Sequence, residues 1–139
     1  MKVNIASKEL VHFIGIGGIG MSGLAQIMTN MGFKVQGSDL NNNKNIERLK
    51  NSGIKIYVGH RKSNIHRATM IVASSAIKKN NLEILTAKKR NLPIFRRGEM
   101  LANVVSLKKN IVVSGSHGKT TTTSLISNIL VEAGLDPTV

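Results

Sequence analysis

Two glycine-containing segments of the chain combine residue types and spacings that suit phosphate binding. The first is Gly15-x-Gly17-x-x-Gly20, which follows the apolar residues 11–14 and precedes a segment with helical apolar spacing. This order predicts a strand, a glycine turn and a helix. Gly15 permits a tight turn, Gly17 lets the backbone approach a pyrophosphate, and Gly20 lets the helix pack on the strand. The N–H groups and the positive dipole at the helix N-terminus attract phosphate.

Polar residues follow several of the predicted strands. Asp39 lies about 20 residues after the glycine turn, where a carboxylate can reach a ribose hydroxyl. His60 and the pair Ser74 and Ser75 also follow strands, and the functional loops of a parallel sheet lie at the carboxyl ends of its strands. Each has a structural alternative: Asp39 as a turn residue, His60 as a surface histidine and the serines as a helix cap. We expect Asp39 to contact a ligand and regard the other three as candidates.

The second segment follows the apolar residues 111–113 and reads Gly115-Ser116-His117-Gly118-Lys119-Thr120-Thr121. A strand, a glycine loop, Gly-Lys-Thr and a helix form the architecture of an NTP-binding P-loop. We expect Lys119 to neutralise the β- and γ-phosphate oxygens and Thr120 to bind Mg²⁺ through its hydroxyl. The general motif has glycine where Val113 stands, so this loop is shorter than usual. The alternative is a threonine-rich helix start that contains a lysine by chance.

Composition excludes several classes of protein. The 139 residues contain no cysteine, which excludes a disulfide framework and a thiolate metal site. No apolar run approaches the length of a membrane span, and the polar residues 1–8 contain no signal peptide, so we expect a cytoplasmic location. The net charge of +13 allows an anionic partner or a lysine- and asparagine-rich surface. Because the basic residues are scattered and aromatic residues are few, we expect no nucleic-acid partner and no membrane partner.

Strands that alternate with helices predict the α/β class, with a Rossmann-like parallel sheet covered on both faces. The predicted strands are residues 9–14, 33–37, 54–58, 69–73 and 93–95, and the predicted helices are 19–31, 46–50, 82–90 and 98–107. These elements make a first domain of residues 1–107. The second domain, residues 108–139, holds a strand at 111–113, the P-loop and a helix that Gly134 ends. It has no further strands to complete a sheet, so we expect it to be an incomplete P-loop domain.

Taken together, the two loops resemble the Mur ligase family of peptidoglycan synthesis. The segments between them follow the family pattern in the same order, namely Gly37-Ser38-Asp39, Gly59-His60, Ser74-Ser75-Ala76-Ile77 and Arg97-Gly98-Glu99-Met100-Leu101. Ser116 stands where the family has threonine and keeps the hydroxyl. The resemblance covers nearly the whole chain, residues 11–138.

The resemblance implies an ATP-dependent ligase that joins L-alanine to UDP-N-acetylmuramate through an acyl phosphate. The first domain would hold the UDP diphosphate at Gly15, Gly17, Gly18, Ile19, Gly20, Met21 and Ser22. Near the uridine it would place Asp39, His60, Ser74 and Ser75. The second domain would bind ATP and Mg²⁺ through Gly115, Ser116, His117, Gly118, Lys119, Thr120 and Thr121, with Lys119 and Thr120 catalytic and Thr120 a metal ligand. Family members have three domains, so we expect this chain by itself not to ligate.

Three other functions remain open on the sequence. An NAD-dependent oxidoreductase would use the first loop and Asp39, but it leaves the second loop unexplained. A basic nucleic-acid-binding module would account for the charge, but no recognition motif accompanies it. A non-catalytic nucleotide-binding fragment would have both loops and no reaction of its own.

Overall fold

A computed structural model describes residues 9–139, so the polar lead-in predicted at residues 1–8 lies outside the described residues. The chain divides into two compact units, with the boundary between Leu107 and Lys108. None of the helices in the described residues is long and apolar enough to cross a membrane.

The first unit is a five-stranded sheet with helices, and all neighbouring strands are parallel. Its elements are β1 (Leu10–Ile14), α1 (Ile19–Asn30), β2 (Lys34–Asp39), α2 (Lys44–Asn51), β3 (Lys55–Val58), β4 (Met70–Ala73), α3 (Leu82–Lys89), β5 (Ile94–Arg96) and α4 (Arg97–Val105). The strand order is β3-β2-β1-β4-β5. The predicted α/β class and parallel sheet are confirmed. A 3₁₀ helix at Lys62–Ile65, between β3 and β4, was not predicted.

Both faces of the sheet are covered, which explains why β1 and β4 are apolar along their length. Val11 and Phe13 of β1 pack in the core with α1 and α4, whereas Ile14 packs in a second core with α3 and the 3₁₀ helix. This division follows from the alternation of side chains along a strand. His12, also fully buried, lies between two apolar neighbours and is the polar exception in β1.

The second unit contains one helix, α5 (Lys119–Glu132), and none of its residues is buried. Gly134 follows the helix with φ +77°, a left-handed conformation that suits glycine, as predicted. The strand predicted at residues 111–113 is wrong, because the described part of this unit contains no strand. An extended segment forms a strand only when a neighbouring strand pairs with its N–H and C=O groups, and these residues have no such neighbour.

Candidate functional site

The first glycine loop lies where the order of the strands reverses. The loop follows β1, the central strand, which has β2 on one side and β4 on the other. In an open α/β sheet, ligands bind outside the carboxyl ends of the strands at such a point. The sheet therefore places residues 15–22, Asp39 and Ser74 at one edge.

Backbone hydrogen bonds to β2 fix the start of this loop. The N–H groups of Gly15 and Ile16 donate to the carbonyl oxygen of Ser38 at 2.8 and 3.1 Å. Gly15 has φ +80°, and a Cβ there would lie 3.1 Å from the Cβ of Ser74. Position 15 therefore requires glycine, because the backbone conformation is left-handed and because a side chain there would crowd Ser74.

The middle of the loop is held by three side chains around Gly17. The N–H of Gly17 donates to Asp39 Oδ2 at 2.8 Å. Its carbonyl oxygen accepts hydrogen bonds from the amides of Asn43 at 3.2 Å and Asn45 at 3.0 Å. A Cβ on Gly17 would lie 2.9 Å from Asn43 Nδ2 and 3.0 Å from Asp39 Oδ2. Asp39 lies at the predicted edge, and one of its oxygens holds the loop.

The N-terminus of α1 offers hydrogen-bond donors to an anion. Gly18 precedes the helix without a side-chain cap, and the first turn contains no acidic residue. The N–H groups of Ile19, Gly20 and Met21 have no acceptor within the helix, because the acceptors of a first turn would lie before its start. Ser22 uses its N–H for the Gly18 carbonyl and its hydroxyl for the Ile19 carbonyl. The donors left for a ligand are therefore the backbone N–H groups of residues 19–21.

Arg97 also lies at this helix N-terminus, and the sequence interpretation gave it no role. A Cβ on Gly20 would lie 3.0 Å from both Cδ and Nη1 of Arg97. The guanidinium group thus packs against the first turn of α1 and adds a positive charge where the helix dipole is already positive. The signal that could have identified it is its position directly after β5, the same kind of position that singled out Asp39 and Ser74.

The serines after β4 occupy a tight turn beside the glycine loop. The N–H of Ser74 donates to the Ile14 carbonyl at 3.1 Å, and its Oγ accepts from the N–H of Ala76 at 3.3 Å. Ser75 is exposed in the same turn. Ser74 therefore stabilises this turn, and it also lies next to Gly15 of the glycine loop.

His60 lies in a polar cluster around the buried carboxylate of Glu83, and this cluster includes Ser38, whose carbonyl oxygen holds the glycine loop. Glu83 accepts hydrogen bonds from Ser38 Oγ and Asn64 Nδ2, both at 2.6 Å. His60 Nδ1 lies 3.0 Å from Glu83 Oε2, and His12 Nε2 lies 3.6 Å from Glu83 Oε1. Burial alone would raise the pKa of Glu83, but the nearby His12 ring and the hydrogen bonds from Ser38 and Asn64 outweigh it and lower the pKa below its usual value. The carboxylate is therefore charged at neutral pH.

The second glycine loop is held by contacts within itself. Lys119 Nζ donates to the carbonyl oxygen of Gly115 at 2.7 Å, and His117 Nδ1 lies 3.2 Å from Ser116 Oγ. Gly118 precedes α5 with φ +77°, which favours glycine. All seven predicted residues are exposed.

The chemistry of this second loop fits a polyphosphate. The first turn of α5 has no acidic residue and no side-chain cap, so its polar groups include the N–H groups, the Lys119 ammonium and the hydroxyls of Thr120 and Thr121. Lys119 and Thr120 line an open cleft of about 430 Å³ along the helix. The described residues contain no group of three or more His, Cys, Asp and Glu side chains that could hold a metal. Thr120 is thus the single Mg²⁺ ligand that the sequence predicts here.

Comparisons with known proteins are consistent over nearly the whole chain. Residues 10–109 match the model of the Mur ligase family, catalytic domain. Over 100% of its length the chain is 64% identical to a UDP-N-acetylmuramate–L-alanine ligase of Pelagibacter ubique, of which it covers 30%. The structure resembles a UDP-N-acetylmuramate-alanine ligase from Thermotoga maritima, with 32% identity, a TM-score of 0.77 and coverage of 88% of this chain and 29% of that one.

A second solved structure has the same fold. It is a murein peptide ligase from Psychrobacter arcticus, with 29% identity, a TM-score of 0.79 and coverage of 91% of this chain and 27% of that one. The two structural neighbours are therefore equally similar in fold. The chain spans about 30% of the length of the curated relative from Pelagibacter ubique.

Proposed function

The chain belongs to the Mur ligase family, and from this membership we propose that it supplies the sugar-nucleotide site and the ATP loop of a ligase that joins L-alanine to UDP-N-acetylmuramate. The observation that carries the proposal is the first glycine loop, with the N–H groups of residues 19–21 and the guanidinium of Arg97 at one helix N-terminus. The high identity to a relative that is named for this reaction supports the choice of substrate. The cytoplasm is the expected location of the reaction.

The diphosphate of the sugar nucleotide would bind to α1. Backbone N–H groups at a helix N-terminus and a guanidinium group both bind phosphate oxygens strongly. Asp39 Oδ2 already accepts a hydrogen bond from the Gly17 N–H, so this carboxylate oxygen would hold the loop. Because Asp39 lies at the carboxyl end of β2, it would also lie near the ribose. Ser74, Ser75 and His60 follow the neighbouring strands and would lie on the uridine side.

The second loop would hold ATP. Lys119 and the loop N–H groups would bind the phosphates, and Thr120 would hold Mg²⁺. When bound with ATP, the metal ion neutralises charge on the phosphates. The phosphoryl group would pass to the carboxylate of the sugar nucleotide, and the amine of L-alanine would then replace it, which yields the amide, ADP and phosphate.

We expect the 139-residue chain by itself to bind the sugar nucleotide and not to complete the reaction. Thr120 is the one predicted metal ligand in the second loop, and the described residues contain no acidic cluster to complete a metal site. Phosphate release in the presence of ATP, Mg²⁺, UDP-N-acetylmuramate and L-alanine measures this directly. Phosphate release faster than in the same mixture without protein would contradict this expectation.

Calorimetric titration with UDP-N-acetylmuramate, and separately with NADH, tests the substrate. We expect the sugar nucleotide to bind and NADH not to bind. Arg97→Ala should weaken binding about tenfold, because it removes a charge-assisted contact to the diphosphate. Arg67→Ala is the matched control, since this exposed arginine precedes β4 and so lies toward the amino ends of the strands. Tighter binding of NADH would favour an oxidoreductase instead.

A further inference from the structure

A buried carboxylate fixes one histidine near the proposed nucleotide site. Glu83, in the first turn of α3, has no solvent exposure. His60, which follows β3, lies with its Nδ1 3.0 Å from Glu83 Oε2 and 3.0 Å from Ser38 Oγ. The His60 side chain is 11% exposed, so part of the ring can still be reached by a ligand.

The positions of the hydrogens around Glu83 assign the tautomer of His60. The Ser38 hydroxyl has one hydrogen, which it donates to Glu83 Oε2 at 2.6 Å, so none is left for His60. An Nδ1 without hydrogen would direct its lone pair at two oxygen atoms. Nδ1 therefore carries a hydrogen and donates it to Glu83. In the neutral ring, Nε2 is then a hydrogen-bond acceptor.

A carboxylate is the group that this position requires. Ser38, His60 and Asn64 all present hydrogens to Glu83, and an ionised carboxylate has two oxygen atoms that accept and none that donate. A glutamine would place an N–H₂ group against at least one of these donors. The environment of Glu83 therefore keeps His60 in one orientation and one tautomer.

We propose that Glu83 is a positioning residue that holds His60 in the Nδ1–H tautomer, so that His60 Nε2 accepts a hydrogen bond from the N3–H group of the uracil base. The inference rests on the proposed function and adds a basis for base selectivity. Asp39 stands where the nucleotide-binding pattern has the carboxylate that binds the ribose. We therefore assign the contact with the base to His60. Cytosine has no hydrogen on N3, so its N3 and His60 Nε2 would both be acceptors and could not form this hydrogen bond.

Titration with UDP and with CDP tests this recognition, because the two ligands share the ribose and the diphosphate. We expect the chain to bind UDP at least about tenfold more tightly than CDP. In His60→Phe, UDP binding should weaken about tenfold and CDP binding should change little, so the preference is lost. His66→Phe is the matched control, since His66 is exposed and lies outside the Glu83 cluster. A preference for UDP that survives in His60→Phe would overturn the proposal.

The role of Glu83 is tested by ¹⁵N NMR of the histidine side chains. In the unmodified chain at pH 8, we expect His60 to show a protonated Nδ1 and an unprotonated Nε2, and the Nε2 signal to shift on addition of UDP. Glu83→Gln should mix the tautomers and reduce the UDP preference. Ser38→Ala keeps the carboxylate and should keep the Nδ1–H tautomer. An Nε2–H tautomer in the unmodified chain, which needs no variant to be observed, would overturn the proposal.

The outcome also separates this inference from the proposed function. If UDP binds without preference over CDP, the sugar-nucleotide site stands and the role of His60 and Glu83 is wrong. If neither UDP nor UDP-N-acetylmuramate binds, both proposals are wrong.

Discussion

The two glycine loops have similar local chemistry, but the surrounding structure holds them to very different extents. The first loop leads into α1, which buries five residues against the sheet, whereas the second leads into α5, which buries none. Hydrogen bonds to β2 and to Asp39 fix the first loop from outside. The second is held by the bond from Lys119 to Gly115 within the loop. A phosphate-binding motif thus specifies a local turn, and the sheet beneath it specifies how firmly the turn is held.

This difference predicts how each loop prepares for its ligand. A loop that is fixed before binding loses little conformational freedom when the ligand arrives, and the affinity is correspondingly higher. We therefore expect the first loop to bind its nucleotide more tightly than the second, and the predictions below test this contrast in order of decreasing effect.

The largest effect should come from the core beneath the first loop. Phe13 is fully buried in β1, and Phe13→Ala should lower the free energy of unfolding by about 4 kcal/mol, because it leaves a cavity. Leu125 of α5 is 59% exposed, and Leu125→Ala should change the free energy of unfolding by no more than about 0.5 kcal/mol. Urea unfolding measures both. Equal effects would show that α5 is as well packed as β1.

The next effect concerns the buried charge of Glu83. Glu83→Gln should destabilise the first unit by about 3 kcal/mol at pH 7, because the buried charge is removed and at least one buried donor loses its acceptor. Since the pKa of Glu83 is lowered by folding, the unfolded state binds more protons in the acid range. Stability from this group is therefore complete above the usual pKa of glutamate and is lost as the pH falls toward the lowered value.

Urea unfolding of the unmodified chain and of Glu83→Gln between pH 7 and pH 3 measures this dependence. The unmodified chain should lose stability more steeply on acidification than the variant does. Glu99→Gln is a suitable control, since Glu99 is exposed. Parallel curves for Glu83→Gln and the unmodified chain would contradict a role of the Glu83 charge.

A smaller effect should follow from a methyl group in either loop. Gly17→Ala places a Cβ within 3.0 Å of Asn43 and Asp39, and we expect a loss of about 1–2 kcal/mol together with weaker UDP binding. Gly118→Ala forces a side chain into φ +77° and should weaken the start of α5 without changing UDP binding. Chemical denaturation and UDP titration of both variants measure these effects. Loss of UDP binding in Gly118→Ala would mean that UDP uses the second loop.

The smallest structural effect is expected at Lys119. Its ammonium is exposed and bonds a carbonyl of its own loop, so Lys119→Ala should leave the urea midpoint unchanged. Any weak binding of ATP should disappear, because the variant lacks the positive charge at the phosphates. Lys109→Ala is the matched control, since this exposed lysine precedes the loop. ATP binding that persists in Lys119→Ala would contradict the P-loop interpretation.

The sequence was sufficient for elements whose local pattern and tertiary surroundings agree. The apolar β1 and β4, the glycine turn after Ile14 and the end of α1 near Gly32 were all predicted. The segment 111–113 was wrong because an apolar run does not by itself supply a strand partner. Glu83 was missed because glutamate in the first turn of a helix is usually exposed. Arg97, although part of the family pattern, was given no role because its contact with Gly20 joins residues that are distant in the chain.

Amide NMR during titration of the chain with UDP-N-acetylmuramate tests the central claim most directly. We expect the first and largest shifts at the N–H groups of residues 17–22, with residues 115–121 unchanged at the same ligand concentration. In Arg97→Ala the same shifts should require about ten times more ligand. Shifts that begin at residues 115–121, or that leave residues 17–22 unchanged at saturation, would contradict the assignment of the first loop to the diphosphate.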